Sequence, residues 1–253
     1  MNHLRSLMFG ALLLSIAAGA RAEQFNALLF TKTAGYHHES INAGVDAVQD
    51  IARLHYFQVF WTADASVFKD EELAKYQVVI FLLTTGDVLD QAQQAALERF
   101  VRKGGGFVGV HSASDTEYEW PWYTKMVGHL FHRHPVVQTA FIDVKDRNFP
   151  GMERFPQRFL WTEEWYEFKP PLSDQLHYLL AVDDRSYRTT PNQGPQRSAG
   201  VGDLHPMSWY QNYDGGRAFY TGLGHLPATY SDALFRHHLY GGIYWAATGK
   251  GIE

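Results

Sequence analysis

Gly104-Gly105-Gly106-Phe107-Val108-Gly109-Val110-His111-Ser112-Ala113-Ser114-Asp115 is the stretch on which the rest of the chain turns. Three glycines stop a helix, and Phe107 to Val110 form a short apolar strand. The chain then turns sharply on His111-Ser112-Ala113. A buried strand that ends in small residues around one polar side chain is how an open α/β sheet presents a reactive group. In the G-x-Nuc-x-G pattern, His111 takes the nucleophile's place and Ala113 the last small position. A serine or cysteine there would signal acyl transfer. A histidine points to acid/base or ligand chemistry, with a structural strand-end histidine as the competing reading.

Upstream of this stretch, strands and helices alternate. Phe25 to Thr31 is an apolar run without alternation, as in a strand buried on both faces. Ile41, Val45, Val48 and Ala52 then fall at helical spacing. Phe57 to Trp61 and Val78 to Leu83 read as further strands, with a short helix over Asp70 to Tyr76 between them. Asp90 followed by Gln93 is a capping box, opening a helix whose apolar face carries Leu97, Phe100 and Val101. This rhythm predicts a doubly wound, mostly parallel α/β sheet.

Downstream the rhythm weakens. Trp120 to Val127 reads as a short helix, Gly128 to Pro135 as a loop, and Val136 to Val144 as a strand. Phe155 to Phe168 and His177 to Val182 follow, and then a long polar loop over 184–203. Ser208 to Tyr213 and Arg217 to Thr221 flank Asp214-Gly215-Gly216 as a hairpin, which predicts an antiparallel extension of the sheet. A closing helix carries Phe235, Leu239, Ile243 and Ala246 on one face. No linker or repeat interrupts 23–253, so one domain is expected.

Residues 1–22 read as a signal peptide: a basic start at Arg5, an apolar core over Leu7 to Ala18, and Ala20-Arg21-Ala22 as a cleavage site. Removal of this segment, with two arginines and no acid, takes the net charge from −5 to −7. A periplasmic or secreted location is expected, with no membrane span after cleavage. An acidic chain without a basic run is a poor partner for nucleic acid. With no cysteine, thiol catalysis and thiolate metal sites are excluded. The seven tryptophans and other aromatics suit a carbohydrate face or a core.

His37-His38, His111, the run His129 to His134 and His225 all fall at expected strand ends or adjoining loops, and His205 joins them from the loop before the hairpin. Ligands of open α/β sheets sit beyond the carboxyl ends of the strands. Any one of these histidines is accounted for as a structural group, whereas convergence on one crevice is not. No H-E-x-x-H spacing specifies a metal. His129, His132 and His134 are a possible ligand set, against a solvated loop. A carboxylate among Trp161, Glu163, Glu164 and Trp165 is disfavoured as the anion by desolvation and suits a general acid. If both glutamates lie on a strand, only one faces the site. Asp115, Glu117 and Glu119 can orient a sugar hydroxyl or form an exposed acidic loop. Ser112 and Ser114 need a contacting base to act as nucleophiles.

Six segments in order resemble the ThuA-like, trehalose-utilisation family: Thr33 to Ser40, Gly105 to His111, Gly128 to Pro135, Thr162 to Tyr166, His205-Pro206 with Trp209, and Gly216 to His225. The resemblance spans roughly residues 25 to 247. It implies a flavodoxin-like sheet as in class I glutamine amidotransferases. Those enzymes carry a cysteine at the elbow where this chain has His111, so glutamine hydrolysis by that route is excluded. The family's association with disaccharide use through 3-keto-sugars implies a carbohydrate ligand.

The expectation is therefore an enzyme acting on a 3-keto-glycoside or related disaccharide derivative. His111 is the base or electrophilic donor and Glu163 the acid. His37, His38, His129, His205, His225 and Trp165 are the binding groups. Two other readings stand beside it. One is a non-catalytic sugar-binding or accessory protein; the other is a metal-dependent hydrolase using a divalent ion.

Overall fold

A computed structural model describes residues 23–188 and 204–252. The apolar run after residue 25 forms β1 (Asn26–Phe30), with Ala27 to Phe30 fully buried. Helix α1 (Ile41–His55) lays Ile41, Val45, Val48 and Ala52 against the sheet and ends on Tyr56 in the left-handed conformation. β2 (Gln58–Thr62), the short α2 (Asp70–Leu73) and β3 (Val78–Leu82) follow. α3 (Gln91–Arg102) starts on the expected capping box: Asp90 accepts from the Gln93 backbone, and the Gln93 side chain accepts from the Asp90 N–H. β4 (Gly106–Val110) is buried along its whole length. Gly106 is required there, since a Cβ would stand 2.2 Å from the Ala246 carbonyl oxygen.

After β4 come α4 (Pro121–Val127), β5 (Phe131–Arg133), β6 (Gln138–Val144), β7 (Arg158–Glu163), β8 (Glu167–Phe168) and β9 (His177–Val182). The hairpin β10 (Pro206–Tyr213) and β11 (Gly216–Thr221) precedes α5 (Ala233–Thr248). Nine strands make one sheet in the order β2-β1-β3-β4-β11-β10-β9-β6-β7. β2, β1, β3, β4 and β11 are parallel; the pairings from β11 through β10, β9 and β6 to β7 are antiparallel. The parallel half is the doubly wound sheet expected from the alternation and the antiparallel half the extension expected from the hairpin; together they form the mixed α/β, flavodoxin-like architecture that the family resemblance implies.

Two details differ from expectation. The loop over Gly128 to Pro135 contains β5, which pairs antiparallel with β8; three residues are too few to carry a periodic signal. The following strand starts at Gln138, because Val136 and Val137 face outward. The signal segment with its cleavage after Ala22, and residues 189–203 of the long loop, lie outside the described residues. Among the described residues no helix is long and apolar enough to cross a membrane.

The aromatic richness is spent mostly on packing. Trp209 and Tyr220 stack at 4.4 Å between ring centres, Phe168 meets Trp209 edge-on at 5.2 Å, and Phe149 stacks on Phe219 at 5.7 Å. The sheet fixes where a ligand can go. β1 continues through α1 to β2 on one side, while β3 and β4 lie on its other side. The connection changes direction at β1, and in such sheets the ligand lies beyond the carboxyl ends of the parallel strands.

Candidate active site

His111 is the first residue beyond β4, in the left-handed conformation at φ 51°. That conformation is costly for a residue with a Cβ, so the surroundings must hold it. They do: the His111 carbonyl accepts from the Tyr220 hydroxyl at 2.6 Å, and the next turn is pinned by Tyr123 donating to the Ala113 carbonyl at 2.8 Å. The strained strand-to-turn corner is the elbow expected from Gly109 to Ala113. It aims a fully buried imidazole at the end of the sheet.

Three other loops bring partners. The loop after β1 is tied to the loop after β3 by Thr85, whose hydroxyl donates to the Tyr36 carbonyl at 2.8 Å. It delivers His38, buried, with its Nδ1 3.4 Å from the Ser112 hydroxyl. The loop after β11 delivers His225. Gly224, at φ +119°, is needed in that loop; its N–H donates to Glu163 Oε2 at 2.9 Å. The end of β7 delivers Glu164. The rings of His38, His111 and His225 form a triangle, with centres 5.0 to 5.4 Å apart. One donor atom from each of these histidines and from Glu164 lie within 4.8 Å of one another.

Glu164 sits at the hub. Its Oε2 is 3.4 Å from His111 Nε2 and 3.1 Å from His225 Nδ1, and its Oε1 is 3.0 Å from His134 Nδ1. Burial alone would raise the Glu164 carboxyl; three neighbouring histidines outweigh it and hold it well below the usual carboxylate range. His38 is lowered to about 3, first by burial and then by His111 and His225. At His225 burial also lowers the pKa, but the Glu164 carboxylate more than reverses it. His134 is raised, chiefly by its contact with Glu164. Asp115 lies within electrostatic reach of His111 and His134. Burial pushes its carboxyl up, against the Tyr118 hydroxyl that donates to Oδ1 at 2.6 Å. Tyr166 covers the His111 ring at 4.2 Å.

The residues expected to act together therefore divide. His38, His111 and His225 meet; the others stand apart. His37 is exposed, with Nδ1 3.2 Å from the Thr33 hydroxyl. His129 is fully buried, and both ring nitrogens are occupied, by the Lys169 carbonyl and the Tyr178 hydroxyl, each at 3.0 Å. His205 is likewise held, by Asp184 and by the Tyr166 carbonyl at 2.7 Å, so it supports Tyr166 from behind. Trp165 is fully buried and donates to the Gln138 carbonyl at 2.9 Å, offering no face to a ligand. His132 is exposed.

The carboxylate in the cluster is that of Glu164, and Glu163 has another task. Its Oε2 accepts from Gly224 N–H and from the Thr229 hydroxyl at 3.1 Å, and its Oε1 accepts from the Glu164 N–H at 3.1 Å. Alternation along β7 turns Phe159, Trp161 and Glu163 inward. The strand then ends, and the release from pleating turns Glu164 into the crevice. Glu117, from the same acidic stretch as Asp115, is also structural: it accepts from the N–H groups of Val88 and Leu89 at 2.8 Å. A separate hollow lined by Leu73, Gln77, Phe100 and Gly105 lies at the amino ends of β3 and β4, away from these groups.

A mixed α/β sheet whose parallel half carries a histidine–carboxylate cluster beyond its strand ends defines a flavodoxin-like protein with a polar site at its elbow. The chain belongs to the ThuA family, described as trehalose utilisation, whose sequence model matches residues 26–246. Two similar solved structures are ThuA-like proteins. The one from Bacteroides uniformis is 22% identical with a TM-score of 0.72, covering 94% of this chain and 96% of that one. The one from Parabacteroides merdae is 19% identical with a TM-score of 0.73, covering 90% and 92%. A β-galactosidase from Bacillus circulans contains a similar fold in 32% of its length, at 14% identity and a TM-score of 0.55. No curated protein matches the sequence.

Proposed function

We propose that this chain is a carbohydrate-processing enzyme acting on a 3-keto-glycoside or a related oxidised disaccharide derivative. The observation that carries the reading is the meeting of two chemically distinct sets of side chains around Glu164. The cluster of His38, His111, Glu164 and His225 can polarise a carbonyl oxygen when a cation sits among its donor atoms. Asp115 and His134, in electrostatic contact with each other, can carry protons. A ring ketone acidifies the neighbouring C–H. A base takes that proton, and the electron pair forms an enolate whose oxygen the cluster stabilises. The enolate then expels the glycosidic oxygen from the next carbon, which takes up a proton as it leaves. This β-elimination needs no strong nucleophile, which suits a chain without cysteine and with a histidine at its elbow. Asp115, raised by burial, replaces Glu163 as the candidate acid. The ThuA family, described as trehalose utilisation, supports a carbohydrate substrate.

We also propose export, with Glu23 as the first residue after cleavage, supported by the basic, apolar and small-residue pattern of 1–22. Mass spectrometry of the protein recovered from cells should find Glu23 first; mature soluble protein that keeps Met1 would contradict it.

The test of function is incubation of the purified protein with 3-keto-trehalose and 3-keto-methylglucoside, read by NMR. Loss of the glycosidic signal is expected. Saturable binding with substrate returned unchanged would instead establish a binding or accessory protein. Neither binding nor turnover would overturn the carbohydrate reading.

A further inference from the structure

We propose that His38, His111, His225 and Glu164 form a binding site for one first-row divalent transition-metal ion. The geometry begins with His111. Its Nδ1–H donates to the Gly222 carbonyl at 2.9 Å, which fixes the tautomer and leaves a lone pair on Nε2. That nitrogen is fully buried, 3.4 Å from Glu164 Oε2, yet makes no hydrogen bond; His225 Nδ1, 3.1 Å from the same oxygen, makes none either. Two buried nitrogens therefore stand beside a carboxylate at angles that direct neither of them onto it. A buried ring nitrogen without a partner is unfavourable, and a shared cation would relieve both at once.

The spacing fits an ion. Four donors about 2.1 Å from a tetrahedral centre stand about 3.4 Å from one another. The two nitrogen–oxygen separations are close to that edge, and all four donor atoms lie within 4.8 Å of one another, so the remaining separations close by up to about 1.4 Å around an ion. Three imidazoles and one carboxylate favour zinc, cobalt, nickel, manganese or ferrous iron over calcium or magnesium, which prefer all-oxygen sites. The outer groups are those that orient metal ligands. The Gly222 carbonyl holds His111, and His134 holds Glu164 by its other oxygen, leaving Oε2 toward the histidines. The side chain of His225 is 19% exposed, so the site is reachable from the crevice. The ion's role in polarising a sugar carbonyl rests on the function proposed above; its binding does not.

The experiment measures metal and turnover separately. The full-length mature protein is stripped with chelator, offered zinc or cobalt(II), desalted, and read by elemental analysis and by the visible absorption of bound cobalt. About one ion per chain is expected, with a cobalt spectrum of low coordination number. His111→Ala and His225→Ala, checked for folding by circular dichroism, should each weaken zinc binding by at least about 100-fold, and His132→Ala should not. If either variant fails to fold, the cobalt spectrum of the unaltered protein and Glu164→Gln decide. No retention of zinc, cobalt, nickel, manganese or anaerobic ferrous iron would overturn the site, as would equal retention by His111→Ala and His225→Ala. Metal bound without keto-sugar turnover keeps the site and defeats the substrate reading. Full turnover by rigorously metal-free protein keeps the substrate reading and defeats the ion's role in polarising the carbonyl, while metal retention alone decides the site.

Discussion

Glu163 and Glu164 are adjacent in sequence and face opposite ways in function: the Glu163 carboxylate accepts the Glu164 N–H and binds the Gly224 turn, while the Glu164 carboxylate lies among three histidines. One carboxylate thus holds the loop that carries His225, and the other meets His225 itself. Glu163→Gln should lower stability by about 1–3 kcal/mol in denaturant titration, because its amide would face donors that need an acceptor. Glu164→Gln should leave stability closer to the original and lower keto-sugar turnover by about 10²-fold or more. The reverse ranking, with Glu163 governing rate and Glu164 governing stability, would refute this division.

His111 lies at φ 51°, where a Cβ costs about 1–2 kcal/mol and glycine pays no such penalty. His111→Gly should therefore be more stable than His111→Ala by about 1 kcal/mol, although it removes more atoms. Both should lower turnover by roughly 10²–10⁴-fold. Thermal unfolding of the two variants side by side checks the backbone part independently of any substrate. An alanine variant as stable as the glycine variant would mean that the corner relaxes.

The fold was legible because its main signals are local. Uninterrupted apolar runs at β1, β3 and β4, the Asp90–Gln93 capping box and the Asp214-Gly215 turn each name an element without knowledge of the rest. The site was legible only as far as strand ends could be placed. That sufficed for His38, His111 and His225, which follow three parallel strands. It did not separate them from His129, whose partners Lys169 and Tyr178 are 40 and 49 residues away in sequence. Strand parity let only one of Glu163 and Glu164 face the site without choosing between them, and parity stops informing where β7 stops. Asp115 read as solvated because the bond from Tyr118 and the histidines that face it come from the folded turn.

Gly224 joins Glu163 to His225. A Cβ there would meet the Tyr230 hydroxyl at 2.7 Å, and φ +119° is strained for any other residue. Gly224→Ala should both destabilise the protein, by more than about 1 kcal/mol, and weaken zinc binding, since the turn that carries His225 must move. A variant with lower stability but unchanged zinc affinity would show that the His225 loop is positioned without this turn.

Two histidines outside the cluster should make the protein acid-sensitive. His238 is fully buried among Phe155 and Phe219; burial, followed by His237, lowers it to about 3. Its Nε2 meets the Ser208 hydroxyl at 3.0 Å. His129 is lowered to about 4, by burial first and by His205, with the Lys169 carbonyl opposing. In the unfolded chain both return to about 6.5. Above that pH neither state binds the proton, and these two groups contribute no pH dependence. Below it the unfolded chain takes up protons that the native chain refuses, so stability falls with falling pH. The fall continues until about pH 4 for His129 and about pH 3 for His238, where the native state is protonated as well. Each group adds a slope approaching about 1.4 kcal/mol per pH unit within its window. Urea titrations between about pH 7 and pH 5 should show this decline, and His238→Gln should remove its own share of the slope whatever it does to stability at pH 7. An unchanged slope in His238→Gln would mean that this imidazole is protonated in the native protein, with a counter-charge reaching it that the packing of α5 against β11 does not show.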